Sequence, residues 1–266
     1  MQVVLITGGS TGIGRATGEL LQSNGYTVIG TSRFPDLYTD HPFPLIQLDL
    51  QDSRSIQKAV GTIVSQYGNI DVLVNNAGKG IAGPLEETPL EEIRSVIETN
   101  LVGAAAVIQS IIPVMRRQNK GKIINITSIA GYSGLPFRAA YSATKSALHM
   151  LTESLRLELK TTDIQCCTLA PGDVATNISN GRYHVPVNEN SPYHAIYGDA
   201  RKDMDAHVND GVSAKTVAVT INRLILINKL KPHYTVGPFL QRFSVYLKSY
   251  LPAKFYEFIL SKFYKL

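Results

Sequence analysis

The run Tyr141-Ser142-Ala143-Thr144-Lys145 places a phenol and an ammonium four residues apart. On a helix that spacing puts both groups on one face, one turn from each other. A neighbouring positive charge favours the ionised phenolate. A phenol that titrates at roughly pH 10 in water then becomes a usable proton donor and acceptor near neutrality. The same spacing also arises when a lysine stem simply lies along a ring. The pair gains weight from the rest of the chain, which holds a glycine-rich turn near its amino end, the run Asn75-Asn76-Ala77-Gly78, Asn100 and Ser128.

The glycine-rich run Thr7-Gly8-Gly9-Ser10-Thr11-Gly12-Ile13-Gly14 follows the apolar stretch Val3-Val4-Leu5-Ile6. Gly8 permits a tight exit from a strand, Gly12 lets backbone approach a pyrophosphate, and Gly14 lets the next helix pack closely on that strand. The helix then presents unpaired N–H groups to phosphate. The spacing Gly-x-x-x-Gly-x-Gly differs from the common Gly-x-Gly-x-x-Gly fingerprint, so position after the first strand carries the argument. At the end of the second strand, where a carboxylate would bind adenosine ribose hydroxyls, stand Ser32 and Arg33. A guanidinium there binds a 2′-phosphate with paired hydrogen bonds that a carboxylate would repel. Arg15 adds positive charge on the same side, so NADP(H) is expected over NAD(H). Asp49 closes the third strand and is expected to cap the next helix or accept from an adenine amino group. Asn76, Ala77 and Gly78 end the fourth strand, where small residues let a nucleotide lie against backbone; turn chemistry alone explains Asn75 and Asn76 equally well.

These groups need a scaffold, and the chain spells one. Strands are expected at residues 3–6, 28–29, 45–48, 72–74, 122–126 and 164–169. Helices are expected after the glycine turn and over residues 53–67, 90–117 and 141–160. Strands alternating with helices at this spacing predict an α/β fold, a doubly wound, mainly parallel sheet of Rossmann type. Its ligand crevice opens at the carboxyl ends of the strands, where every motif above lies. With 266 residues, 44% of them hydrophobic, the chain can bury one full core. A first strand beginning almost at Met1 leaves no room for a signal or transit peptide. Cys166 and Cys167 are adjacent in an expected strand, so their side chains should point to opposite faces as packed thiols in a reducing compartment.

The combination of Thr7-Gly8-x-x-x-Gly12-x-Gly14, Asn75-Asn76-Ala77-Gly78, Asn100, Ser128, Tyr141-x-x-x-Lys145 and Pro171-Gly172-x-x-x-Thr176 resembles the short-chain dehydrogenase/reductase family over residues 1–176. The resemblance implies Tyr141 as general acid in carbonyl reduction and general base in alcohol oxidation. Lys145 would assist it and hold the nicotinamide ribose, and Ser128 would donate to the substrate oxygen. Asn100 would support a water that links Lys145 to solvent. Residues 171–176, with Pro171, Gly172, Val174 and Thr176, would embrace the nicotinamide carboxamide. Ser10, Thr11, Ile13 and Leu50 join Gly8, Gly12, Gly14, Asp49, Asn76, Ala77 and Gly78 as implied cofactor contacts. The implied substrate is a small-molecule carbonyl compound or alcohol.

The chain departs from that pattern beyond residue 176. Residues 177–211 carry Pro186, Pro192 and several tyrosines and histidines without clear periodicity, and are expected to form an irregular substrate lid. The catalytic domain is expected to end near residue 237. Residues 238–266 then form a helical C-terminal extension with Phe239, Leu240, Phe243, Leu247, Phe255, Phe258, Ile259 and Phe263 at helical spacing. No apolar run in this tail is long enough to span a bilayer. From Lys229 onward seven Lys and Arg face a single Glu, so the chain's net charge of +5 sits in the tail. The body is no nucleic-acid binder by charge. Two readings of the tail stay open. It packs on the domain, covering the cleft or joining subunits of a homo-oligomer, or it is a basic amphipathic segment touching membrane. Its form resembles the hydroxysteroid and retinol dehydrogenase-like members of the family and tilts the expected substrate towards a lipophilic ketone. The expected location is cytoplasmic, or peripheral at a membrane surface. The six histidines show no metal-ligand spacing, so no metal is expected. The rival readings are a nucleotide-binding regulatory protein without catalysis and a membrane-associated scaffold of the same fold.

Overall fold

The computed structural model describes residues 1–175, 181–209 and 211–266, with backbone alone at 205–209. Strand β1 (Val3–Ile6) leads through the glycine turn into α1 (Gly12–Ser23), followed by β2 (Thr27–Ser32), β3 (Leu45–Gln47) and α2 (Ser53–Tyr67). Next come β4 (Val72–Asn75), the short β5 (Ile81–Ala82), α3 (Leu90–Ile97), α4 (Gly103–Arg117), β6 (Gly121–Ile126), α5 (Ala139–Glu158) and β7 (Ile164–Pro171). The rest comprises β8 (Val174–Ala175), β9 (Tyr183–His184), α6 (His194–Asn209), β10 (Val212–Ser213), α7 (Ala214–Leu226), β11 (His233–Val236), α8 (Phe239–Tyr250) and α9 (Ala253–Phe263).

Seven strands form one sheet in the order β11-β7-β6-β4-β1-β2-β3, and every pairing is parallel. From β1 the chain builds outward through β2 to β3, then returns to β4 on the other side of β1. That reversal opens a crevice between the carboxyl ends of β1 and β4. The strands read as continuous apolar runs because helices cover both faces. Val3, Leu5, Leu73, Ile123 and Cys166 pack against Ile56 and Ile63 of α2 and Val107, Ile111 and Met115 of α4. Val4, Ile6, Val74, Ile124 and Cys167 pack on the other face against Leu21 of α1 and Val217, Ile221 and Leu224 of α7. The two cysteines therefore point to opposite cores as expected. Both are free, and burial pushes their thiols up to about 11 and about 12.

Three elements depart from the sequence expectation. The apolar periodicity predicts one helix over residues 90–117, but α3 and α4 are joined by a wider π turn at Glu98–Val102 that contains Asn100. Such a turn adds a residue without interrupting the apolar stripe, so periodicity does not reveal it. The composite helix Leu90–Arg117 is also long and apolar enough to cross a membrane. Here Val107, Ile108, Ile111 and Met115 place it in the core.

The second departure is α6, which occupies much of the stretch read as irregular. Tyr197, Ala200 and Met204 bury at helical spacing against Phe137, Val187 and Tyr193, a pattern hidden by the prolines and polar residues around it. The β9 strand pairs with β5 and ties this segment to the domain. Residues 177–180 and 210 of the expected lid lie outside the described residues. Third, Asp49 does not cap α2. Asp52 does, accepting from Arg54 N at 2.9 Å, while Asp49 accepts from Gln51 N and forms the turn before it.

One turn beyond Lys145 on α5, His149 is buried with its ring 4.4 Å from Tyr132 and 5.4 Å from His233. His233 in turn bonds Thr168 Oγ1 and Glu153, each at 2.8 Å. Burial, and then the charge of His233, push the His149 imidazole down from 6.5 to about 4. Between those values the native chain holds fewer protons than the unfolded chain. Its contribution to stability is fully present above pH 6.5 and is lost as pH falls through about 4, on the order of 3 kcal/mol in all. Urea unfolding at pH 7 and pH 5 should show a loss of about 2 kcal/mol that His149→Phe removes. An unchanged pH difference in that variant would assign the effect to other groups.

Candidate active site

The glycine turn is shaped by its backbone. Gly8 and Gly12 have φ of +66° and +53°, a region costly for residues with a Cβ. A Cβ on Gly14 would lie 2.1 Å from the Gly8 carbonyl oxygen, so this glycine lets the turn fold onto its own helix as well as onto the sheet. Thr11 precedes α1 without a side-chain cap, and the first turn of α1 has no acidic residue. The leading N–H groups are thus left for an anion. Ser10 is buried within the turn, and Ile13 reaches the cavity described below.

Thr7 fixes this turn to the end of β4. Its hydroxyl oxygen accepts from Asn76 N at 2.9 Å and Ala77 N at 3.0 Å, and donates to Asn75 Oδ1 at 3.2 Å. Asn76 Nδ2 donates back to the carbonyls of Thr7 and Gly8 at 3.0 and 3.2 Å. Asn75 Nδ2 continues inward to Ala104 O and Asn125 Oδ1, and Asn125 Nδ2 reaches Thr152 Oγ1 of α5. The asparagines therefore do more than turn the chain: they join β1, β4, β6, α4 and α5 in one buried network.

Asn100 is buried in the π turn and clamps the next residue along the crevice. Its Oδ1 accepts from Lys79 N at 2.7 Å, and its Nδ2 donates to Lys79 O at 2.9 Å and Thr144 Oγ1 at 3.3 Å. A Cβ on Gly78 would meet Asn100 Oδ1 at 3.2 Å and Lys145 Nζ at 3.5 Å, so these groups share one small space. Lys145 is buried on α5 and donates to Ile126 O at 3.0 Å, with Nζ 5.8 Å from the Tyr141 ring centroid. Burial pushes the Lys145 ammonium down from its ordinary value, and Tyr141 pushes it back up. Ser128 caps the turn after β6 by accepting from Ala130 N, which leaves its O–H to donate elsewhere.

Ser128, Tyr141 and Lys145 line one cavity of about 410 Å³ together with Ile13, Asn76, Gly78, Pro171, Gly172 and Val174. Its volume suits a small-molecule ligand. Thr176 lies outside the described residues. Leu50 packs its side chain into the core, and its carbonyl lies against Gly103 of α4. Ser32 Oγ accepts from Phe34 N, and Arg33 is exposed beside the Phe34 ring with no carboxylate partner among the described residues. Arg15 makes an exposed ion pair with Glu19, one turn along α1, at 2.8 Å.

Several contributors escaped the sequence reading. Arg138 lines the cavity with its guanidinium 5.7 Å from the Tyr141 ring centroid, so two cations flank that ring. Its place three residues before Tyr141, on the same helical face, is the signal that was there to be read. Gln241 of α8 accepts from Asp173 N and donates to Asp173 Oδ2, and Tyr256 of α9 bonds Ser133 Oγ at 2.8 Å. These contacts bring Leu240, Phe243, Leu247, Ile259 and Phe263 over the cavity as an apolar roof. The tail thus covers the cleft, one of the two readings left open.

A parallel sheet whose switch point carries this uncapped helix and glycine cradle, facing a Tyr–Lys pair, defines a dinucleotide-binding α/β oxidoreductase. The comparisons with known proteins agree. Residues 2–184 match the family model for short chain dehydrogenase. The 3-ketodihydrosphingosine reductase of Bacteroides thetaiotaomicron is 35% identical over 99% of this chain and 98% of that protein. Dehydrogenase/reductase SDR family member 7B of Bos taurus is 30% identical over 98% of this chain and 81% of that protein. Among solved structures, a short-chain dehydrogenase from Streptomyces avermitilis superposes with a TM-score of 0.82 at 31% identity, covering 93% of this chain and 92% of that one. A Burkholderia phymatum family member in complex with NAD gives 0.80 at 26%, with the same coverage. The chain belongs to the short-chain dehydrogenase/reductase family, and it is an oxidoreductase acting on CH–OH or carbonyl groups.

The cradle makes a direct prediction. Gly14→Ala should weaken NAD(P)H binding by roughly tenfold or more, about 1.4 kcal/mol, in a fluorescence titration, with far-ultraviolet circular dichroism unchanged. Unaltered affinity would show that the close approach at Gly14 has no part in holding nucleotide.

Proposed function

We propose that this protein is an NADP(H)-dependent reductase of a lipophilic, lipid-like ketone, with Tyr141 as the general acid. The observation that carries this reading is the single cavity in which Ser128, Tyr141 and Lys145 line one wall and the apolar side chains of α8 and α9 form the roof. The glycine cradle and the crevice beside Asn76 and Gly78 would hold a reduced nicotinamide dinucleotide, which when bound would supply hydride to the carbonyl carbon. Tyr141 gives its hydroxyl proton to the carbonyl oxygen, and a secondary alcohol results. Ser128, its O–H free to donate, stabilises the oxygen as negative charge develops. Lys145 and Arg138 flank the phenolate that remains and stabilise it electrostatically. Asn100 holds the Lys79 backbone beside Gly78, and with Lys145 it forms the floor through which a proton returns to Tyr141. The described part of the expected lid reaches the cavity through Arg182 and covers the substrate from that side.

The substrate class is supported by two things. The roof is built of Leu240, Phe243, Leu247, Ile259 and Phe263, which suits a hydrocarbon chain rather than a sugar or an amino acid. The relative from Bacteroides thetaiotaomicron, named as a reductase of 3-ketodihydrosphingosine, matches over 99% of this chain, including these helices. The cofactor choice rests on Arg33, whose exposed guanidinium stands at the end of β2 where an acidic residue would exclude a 2′-phosphate.

Two measurements test the reading. Tyr141→Phe should lower kcat for long-chain ketone reduction by roughly 10²–10⁴-fold while NADPH affinity is retained. Undiminished turnover would remove Tyr141 from the chemistry. Arg33→Ala should weaken NADPH roughly tenfold and leave NADH nearly unchanged, after allowance for solvent screening of an exposed charge. Tighter binding of NADH than of NADPH by the unaltered protein would overturn the cofactor assignment.

A further inference from the structure

The helices that roof the cavity have a second face. Phe239, Phe243, Tyr246 and Tyr250 recur along α8 at one-turn intervals, and Phe255, Phe258, Ile259, Phe263 and Leu266 follow along and beyond α9. All are exposed, Tyr250 to 85% and Phe239 to 74%, and Phe239 and Phe243 stack on each other at 5.9 Å. Over residues 238–266 five basic residues face one acidic residue. Lys248 and Lys265 are tied to Tyr132 O and Asp203. Arg242, Lys254 and Lys262 form no ion pair among the described residues, and Lys262 Nζ lies 5.8 Å from the Phe258 ring centroid. The surface is therefore aromatic and apolar with unneutralised cations at its border.

Four side chains belong to both faces. Leu240, Phe243, Ile259 and Phe263 line the cavity and are also exposed at the outer surface. The cavity consequently opens within the apolar face itself. A protein partner seated there would block that opening, whereas a lipid leaflet extends it with medium of the same polarity.

We propose that α8 and α9 dock on an anionic lipid bilayer, aromatic side chains entering the headgroup–acyl boundary and Arg242, Lys254 and Lys262 meeting lipid phosphate. Apolar burial and attraction to anionic lipid together give such a segment its affinity. The opening between Leu240, Phe243, Ile259 and Phe263 then admits substrate directly from the leaflet. The docking stands without any assumption about the reaction; the entry route rests on the lipophilic-ketone reading above.

Sedimentation of the full chain with phosphatidylcholine vesicles, alone or mixed with phosphatidylglycerol, tests the docking without any turnover. Binding is expected to the mixed vesicles, to weaken as salt rises, and to fall on the order of tenfold in Tyr250→Ser/Phe258→Ser. Neither residue lines the cavity, so reduction of a short, water-soluble ketone should be unchanged in that variant. Lys254→Glu/Lys262→Glu should reduce binding to the mixed vesicles and leave the weak binding to neutral ones. Absence of sedimentation with either vesicle overturns the proposal. So does a concentration-dependent dimer in sedimentation velocity that the serine substitutions dissociate, which would show a second copy covering the face. Vesicle binding without any ketone turnover would leave the docking standing and sink the reductase reading instead.

Discussion

The buried Thr7 hydroxyl accepts two backbone N–H groups from the end of β4 and donates to the buried Asn75. Buried polar groups are costly unless paired, and here pairing is possible only if the turn after β1 and the turn after β4 keep one relative position. The Asn76 amide closes the link from the other side onto the carbonyls of Thr7 and Gly8. The nucleotide cradle is thereby held by hydrogen bonds that the sheet alone would not supply. The same network runs through Asn75 and Asn125 to Thr152, so the helix carrying Tyr141 and Lys145 is positioned by the groups that position the cradle.

The π turn at Glu98–Val102 serves a related purpose. An unbroken helix over this stretch would turn later residues by an extra step relative to the sheet. The wider turn keeps Val107, Ile111 and Met115 in the core while Asn100 reaches Lys79 and Thr144. A core constraint and a site constraint are met by one irregular turn. Lys145 sits behind it, desolvated, bonded to Ile126 O and facing Tyr141. Burial makes its charge costly, and the Ile126 carbonyl and the Tyr141 side chain offset part of that cost.

The C-terminal helices add what the sheet lacks. The carboxyl edge of a doubly wound sheet is an open crevice, and an open crevice leaves apolar lining in water. Gln241 and Tyr256 anchor α8 and α9 through polar contacts to Asp173 and Ser133, so the apolar side chains over the cavity need not supply the docking energy themselves. The helices are consequently two-faced, lining a cavity on one side and exposing aromatic residues on the other.

Much of this was legible in the amino-acid sequence because it is local. The parallel sheet follows from strand and helix periods, the cradle from Gly8, Gly12 and Gly14, and the Tyr141–Lys145 pairing from a four-residue spacing. The opposed burial of Cys166 and Cys167 follows from strand alternation alone. Other features depend on partners distant in the chain. Asp49 and Asp52 are equally good caps on paper, and only the path of the chain into α2 selects Asp52. The helix over His194–Asn209 is invisible without Phe137 and Tyr193 to bury its apolar side. Sequence therefore determined which chemical groups this protein has and the period of the elements that carry them. Tertiary structure decided which of those groups are desolvated and which meet, because both depend on contacts between residues tens of positions apart.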